Sequence, residues 1–197
     1  NNNLVNIFDN LLLLFKFAAS NIINFPVTYI SNSLGDEFIE ITPYIEEGGR
    51  GSSVFYLSYP GTLSKIIDST YNSFVSLRET LDLDKLILYY IMMKNTRFVD
   101  NSYLLGCVFM EGLKYSFAKN LRNYKITGDK FLKADGTRYS FRELIAEIYE
   151  CYNIKNGDIS FIRFRNEVIH QGAISSIPFE DLIVEKGKLE MVIEHLL

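Results

Sequence analysis

The spacing of apolar residues along the chain changes at Pro60-Gly61. Before this point, residues 4–19 have the spacing of an amphipathic helix. Three short runs rich in β-branched and aromatic residues follow and predict strands at 25–30, 38–45 and 54–59. After it, apolar residues recur every three or four positions to the C-terminus, which indicates helices. We therefore predict a mainly α fold, with a helical bundle over residues 61–197 after a short β-containing tail.

The tail does not have enough strands to form a domain by itself. The chain also begins with Asn1 rather than Met. We therefore expect residues 1–60 to be the C-terminal remnant of a β-rich N-terminal domain, together with a linker, and the earlier part of that domain to be missing.

The composition, 48% hydrophobic and 22% charged, is that of a globular protein. The longest apolar runs, 86–93 and 103–110, are too short to span a bilayer. No secretory signal is recognisable. We therefore predict a cytoplasmic protein without a membrane partner.

Capping residues divide the helical part. Ser140 and Glu143 form a capping-box pattern that starts one helix, and Asp158 can cap the next. Between the earlier helices and Ser140, residues 122–139 are rich in glycine and charge. They predict a loop with a small hairpin at Asp135-Gly136.

Two charged residues interrupt apolar helix faces. Arg165 projects from a broad face that we assign to Phe161, Ile162, Phe164, Val168 and Ile169. A charge in such a place needs a partner, because an unpaired buried charge is very unfavourable. Glu111 places a negative charge on an apolar face of an earlier helix. We expect it to pair with Arg165, with Arg163 or with a backbone amide.

Charge is unevenly distributed. Residues 112–142 contain 8 basic and 2 acidic side chains, whereas both flanking regions are acidic and the whole chain has a net charge of −4. This segment is either a solvated loop or a surface that binds an anion. The candidate RNA-binding residues are Lys125, Lys130, Lys133, Arg138 and, from the Arg165 helix, Arg163.

Arg165 is followed by Asn166 and, after three more residues, by His170, near the end of a late helix. This motif resembles that of the HEPN superfamily, in which four to six residues separate Arg from His and a polar residue often follows the Arg. The helix 104–113 with its Glu is similar to an earlier core helix of that family. The order of a β region before helices is similar to that of ApeA-type proteins. The resemblance covers residues 60–197 well and 1–59 loosely.

The resemblance implies a metal-independent endoribonuclease without a cofactor, in which the Arg and His of two subunits form one site at a homodimer interface. It implies catalytic roles for Arg165, Asn166, His170 and Glu111. RNA supplies its own 2′-hydroxyl nucleophile, imidazole can transfer the proton, and guanidinium can hold the phosphate. A bacterial defence (abortive infection) or toxin effector is the implied class, regulated by the missing N-terminal domain or by another protein.

Two alternatives remain open at this point. One is a non-catalytic HEPN module that binds RNA, a nucleotide or a partner protein through the same surface. The other is a purely structural dimerisation domain. The sequence contains no HExxH motif or paired cysteines, so we predict no metal site.

Overall fold

The computed structural model describes residues 2–20, 23–24, 44–45, 61–155, 157–171 and 174–197. These residues are mainly helical, as the apolar spacing predicts. Their helices are α1 Asn2–Ala19, α2 Thr62–Leu81, α3 Leu83–Asn95, α4 Val99–Ser116, α5 Phe141–Cys151, α6 Phe161–Gln171 and α7 Phe179–Leu196. Their strands are β1 Ile23–Asn24, β2 Tyr44–Ile45, β3 Ile126–Thr127 and β4 Lys130–Phe131. No helix in the described ranges is long and apolar enough to cross a membrane.

The chain divides into two compact units, Asn1–Tyr71 and Asn72–Leu197, and the division falls within α2. In the first unit, α1 matches the helix predicted over 4–19. The short strands β1 and β2 pair antiparallel. The strands predicted at 25–30 and 54–59, and most of 38–45, lie outside the described residues. The domain boundary that the sequence places at residue 60 stays a prediction.

In the second unit, α4 is the central helix and packs against α3, α5, α6 and α7. Gly106 allows α3 and α7 to pack closely against α4. A β-carbon at this position would lie 2.6 Å from Leu189 Cδ2 of α7 and 3.0 Å from Met93 Sδ of α3. Because α4 contacts α5 and α6 together, its side chains can reach residues on both helices.

A small β structure follows α4. A π-helical turn, Phe117–Leu121, leads into the antiparallel β3–β4 hairpin, in which Thr127 pairs with Lys130. The turn predicted at Asp135-Gly136 is also present, since Lys133 N donates to Thr137 O at 2.8 Å. Residues 122–139 thus contain two turns rather than one.

A local apolar cluster anchors this region to the helices. It consists of Ala118, Phe131 and Leu144, with Tyr124 and Tyr139 packed against it. The two tyrosine rings stack, with their centroids 4.8 Å apart. The basic segment is therefore attached to the π-helical turn and to α5 rather than being a free loop.

The start of α5 uses the predicted capping box, whereas Asp158 bonds an amide that lies just before α6. Ser140 Oγ accepts a hydrogen bond from Glu143 N at 3.2 Å, and Glu143 Oε2 accepts one from Ser140 N at 2.7 Å, so the capping box is confirmed. Before α6, Asp158 Oδ1 accepts a hydrogen bond from Ser160 N at 2.6 Å. Ser160 Oγ in turn donates to Glu185 Oε2 on α7 at 2.7 Å. These bonds fix the start of the helix that contains Arg165.

Candidate functional site

Arg165 of α6 and Glu111 of α4 form an ion pair through Nη2 and Oε1. Arg165 Nη1 also donates to Asn166 Oδ1 at 2.6 Å. About a quarter of each charged side chain is exposed, 23% for Arg165 and 26% for Glu111. The partner predicted for Arg165 is therefore present. Glu111 Oε1 and Arg165 Nε are themselves buried, so the exposed quarter of each side chain lies at other atoms. The alternative partner of Glu111, Arg163, is exposed and lies over the Phe164 ring of its own helix.

Phe141, the first residue of α5, supports the same guanidinium. The Cζ atom of Arg165 lies 4.6 Å from the Phe141 ring centroid, within the range of a cation–π contact. The Phe141 ring itself packs edge-on against Phe161. Three helices, α4, α5 and α6, therefore meet at Arg165.

Lys114 adds a second cation to the site. Its Nζ lies 2.5 Å from Glu111 Oε2 and 5.1 Å from the centroid of the Phe141 ring. Arg165 and Lys114 thus share one carboxylate and one aromatic ring. Because two positive charges meet one negative charge, the cluster retains an excess positive charge.

The inner side of the site is closed by Cys107, which lies on α4 one turn before Glu111 and is fully buried. Burial raises the pKa of the Cys107 thiol to about 12; the Arg165 charge opposes this shift and the Glu111 charge adds to it. Cys107 is therefore a neutral wall residue at neutral pH. Arg165 Nε is buried and has no hydrogen-bond acceptor among the described residues.

The broad apolar face predicted for α6 is divided in the structure. Phe161, Phe164 and Val168 are buried, whereas Ile162 is only partly covered and Ile169 is 40% exposed. On a helix, Arg165 lies between these two sets. The sequence grouped all five apolar residues on one face, but the bundle uses only part of that face.

The His170 backbone belongs to α6, but its side chain, like the whole of Gly172, lies outside the described part of the structure. The chain beyond is tied back to its surroundings. Glu167 Oε1 accepts hydrogen bonds from Ser175 N at 2.6 Å and from Ser176 N at 2.9 Å. The Ser176 hydroxyl also donates to Glu167 Oε2 at 2.5 Å. This bond contributes most to lowering the pKa of the Glu167 carboxyl, and the backbone bonds add to it. The end of α6 that contains His170 is thereby anchored.

Two of the candidate RNA-binding residues are already paired with carboxylates in the structure. Lys133 contacts Glu143, and Lys130 Nζ lies 3.2 Å from Asp129. Lys125 and Arg138 are exposed and form no ion pair within the described ranges. Among the described residues, Lys130 and Lys133 are therefore already paired with carboxylates, whereas Lys125 and Arg138 are not.

The function of the chain has to be inferred from this site. Comparison with protein-family models, curated proteins and solved structures found no match. Among the described residues, no group of three or more His, Cys, Asp or Glu side chains is placed to hold a metal ion.

The sequence did not predict the contact of Phe141 with Arg165. The capping box placed Phe141 at the start of a helix, but nothing local shows which later residue meets its ring. In the sequence, Lys114 is only one of the eight basic residues between 112 and 142. Its spacing of three from Glu111 on a helix was the signal that could have linked it to the site.

Proposed function

We propose that this chain is a metal-independent endoribonuclease of HEPN type. The observation that supports this is the placement of Arg165 at a water-accessible edge, between Glu111 and Phe141. Asn166 is adjacent, and His170 follows five residues later in the same helix. This is the arrangement of residue types that the motif requires.

In the proposed reaction, the His170 imidazole removes the proton from a ribose 2′-hydroxyl, whose oxygen then attacks the adjacent phosphorus. The bond from phosphorus to the 5′-oxygen breaks, and the leaving oxygen takes up a proton from an imidazolium. The products are a 2′,3′-cyclic phosphate and a 5′-hydroxyl. Arg165 stabilises the charge that develops on the phosphate oxygens.

The hydrogen-bonding capacity of Arg165 is compatible with this role. A guanidinium has five N–H donors. Each terminal nitrogen of Arg165 has one described partner, Asn166 for Nη1 and Glu111 for Nη2. One N–H on each nitrogen is left to bind a phosphate oxygen.

A homodimer is part of the proposal. Ile162 and Ile169 remain at least partly exposed beside Arg165, and a second copy of α6 would cover them. Such a contact would also bring two Arg165–His170 sets together. A cytoplasmic location stays a prediction from the sequence. A role as a bacterial defence or toxin effector, and control by an N-terminal domain or another protein, rest on the HEPN resemblance alone.

The test is cleavage of RNA by the purified protein with and without EDTA. We expect cleavage in both conditions and a loss of at least about a hundredfold in Arg165→Ala and in His170→Ala. Gln171→Ala, at an exposed position of the same helix, is the control and should keep the cleavage rate within a small factor. Full activity of His170→Ala, or activity that requires a divalent ion, would contradict the proposal.

One observation favours a second candidate, a non-catalytic HEPN module that binds RNA, a nucleotide or a partner protein. Glu111 and Asn166 already engage both terminal nitrogens of Arg165, as expected of an arginine with a structural role. For such a module, the folded protein would bind its ligand without cleaving RNA. The His170→Ala variant would then bind as well as the native chain.

A further inference from the structure

Glu111 holds the position on Arg165 that an anionic ligand needs. Its Oε1 is buried and contacts Nη2 of the guanidinium, while about a quarter of each side chain stays exposed. Carboxylate and phosphate oxygens bind guanidinium in the same way, through charge-assisted hydrogen bonds. A phosphate can first contact the N–H groups that Glu111 and Asn166 leave open, and it then competes with Glu111 for the remaining N–H of Nη2.

Lys114 changes the balance of this competition. It holds the other oxygen of the same carboxylate, with Nζ 2.5 Å from Oε2. If Glu111 releases Arg165, the carboxylate keeps a cationic partner and is not left unpaired in a partly buried position, which would be strongly unfavourable. Lys114 thus makes release of Arg165 easier without itself having to touch the ligand.

We propose that Glu111 is an autoinhibitory occupant of the Arg165 anion site, that an RNA phosphate displaces it, and that Lys114 is the positioning residue that retains it afterwards. The identity of the anion rests on the proposed function. The displacement rests on the shared carboxylate, the excess positive charge of the cluster and the partial exposure of the Arg165 and Glu111 side chains.

The test measures binding of an RNA oligonucleotide with 2′-O-methyl riboses, which has no free 2′-hydroxyl and cannot be cleaved by the proposed chemistry. Glu111→Gln keeps the size of the side chain and an acceptor oxygen but removes its charge. We expect this variant to bind about tenfold more tightly, a change of about 1.4 kcal/mol. Inorganic phosphate should compete with the oligonucleotide more effectively in this variant than in the native chain.

A double-mutant cycle separates positioning from direct contact. In the native background, Lys114→Ala should weaken binding by about tenfold, because Glu111 then stays on Arg165. In the Glu111→Gln background, the same change should weaken binding no more than Lys119→Ala does. Lys119 is the matched control: it lies over the Tyr115 ring and makes no ion pair within the described ranges.

Two results would overturn the inference. Weaker or unchanged binding by Glu111→Gln, in a variant whose melting temperature shows that it is folded, would make Glu111 a simple support for Arg165. Equal losses from Lys114→Ala in both backgrounds would mean that Lys114 touches the phosphate directly. Because the probe cannot be cleaved, this outcome is independent of whether the native chain is a ribonuclease.

Discussion

The Cζ atom of Arg165 lies 4.6 Å from the ring centroid of Phe141, so the first residue of α5 supports the central residue of α6. Phe141 is in turn placed by the capping box at Ser140. The capping box fixes where Phe141 lies on α5, and the packing of α5 near α6 then brings its ring to the guanidinium. Phe141 thus links the capping box of α5 to the Arg165 site.

Phe141→Leu should loosen this support. Leucine fills much of the same volume but has no π face, so a cation–π contact of about 1 kcal/mol is lost. We expect a similar drop in the free energy of unfolding and a lower rate of RNA cleavage. Phe141→Tyr, which keeps the ring, is the control and should retain both. Equal behaviour of the two variants would show that the contact contributes nothing.

Ile169→Glu should dissociate the proposed dimer. The side chain is 40% exposed on α6 beside Arg165, and two carboxylates facing each other across an interface repel. We expect monomer mass by light scattering at micromolar concentration, with loss of cleavage. Ile183→Glu introduces the same charge at an exposed isoleucine of α7 and should leave the dimer intact. A native chain that is itself monomeric would contradict the interface.

Two helical glycines give a matched test of the fold. Gly106→Ala places a β-carbon 2.6 Å from Leu189 Cδ2, so overpacking should destabilise the protein by about 1–3 kcal/mol. Gly187→Ala, within α7, meets nothing within 4 Å and should stabilise it by about 0.5–1 kcal/mol through helix propensity. Denaturant unfolding measures both changes. A Gly106→Ala variant as stable as the native protein would mean that α4 and α7 are less closely packed.

Local features of the fold were predictable because their causes are local. The serine and glutamate of the α5 cap lie three residues apart, so the capping box and its hydrogen bonds follow from the sequence. The Arg165–Glu111 pair could also be predicted from the sequence, because each charge interrupts an apolar face and a buried charge needs a partner.

Long-range contacts were not predictable in this way. Helical periodicity shows which residues share a face, but not how much of that face the neighbouring helices cover. It therefore assigned Ile169 to the same face as Val168, whereas Val168 is buried and Ile169 is exposed. The contact of Phe141 with Arg165 likewise depends on how α5 and α6 pack, which no short pattern encodes.

Acid should destabilise the α5 cap. The hydrogen bond from Lys133, followed by those from Ser140, lowers the pKa of Glu143 from 4.5 to about 2. A carboxyl whose pKa is lowered on folding stabilises the folded state above the unfolded pKa, and this contribution is lost as pH falls from 4.5 towards 2. Glu143→Gln should make the free energy of unfolding fall less steeply in this window.

Lys133→Met provides the control for this prediction. It removes the largest cause of the lowered Glu143 pKa but keeps the two contributions from Ser140. Its unfolding free energy should therefore depend on pH less steeply than that of the native chain and more steeply than that of Glu143→Gln. High salt should reduce the difference, because the ion pair is exposed. Identical pH profiles for all three proteins would contradict the cap as an acid-sensitive element.

The exposed basic residues should contribute unequally to RNA affinity. Lys125 and Arg138 form no ion pair within the described ranges, whereas Lys130 lies 3.2 Å from Asp129. A cation without a carboxylate partner is free to neutralise a phosphate, and each phosphate neutralised contributes about 0.7 to the slope of log affinity against log salt for single strands. Lys125→Ala with Arg138→Ala should therefore lower both the affinity and the slope, and Lys130→Ala should change them less. RNA binding measured across a salt series tests this prediction. Equal losses of affinity in Lys130→Ala and in the Lys125→Ala, Arg138→Ala variant would mean that the Asp129 pair is too weak to matter. Unchanged affinity in all of these variants would place the RNA elsewhere.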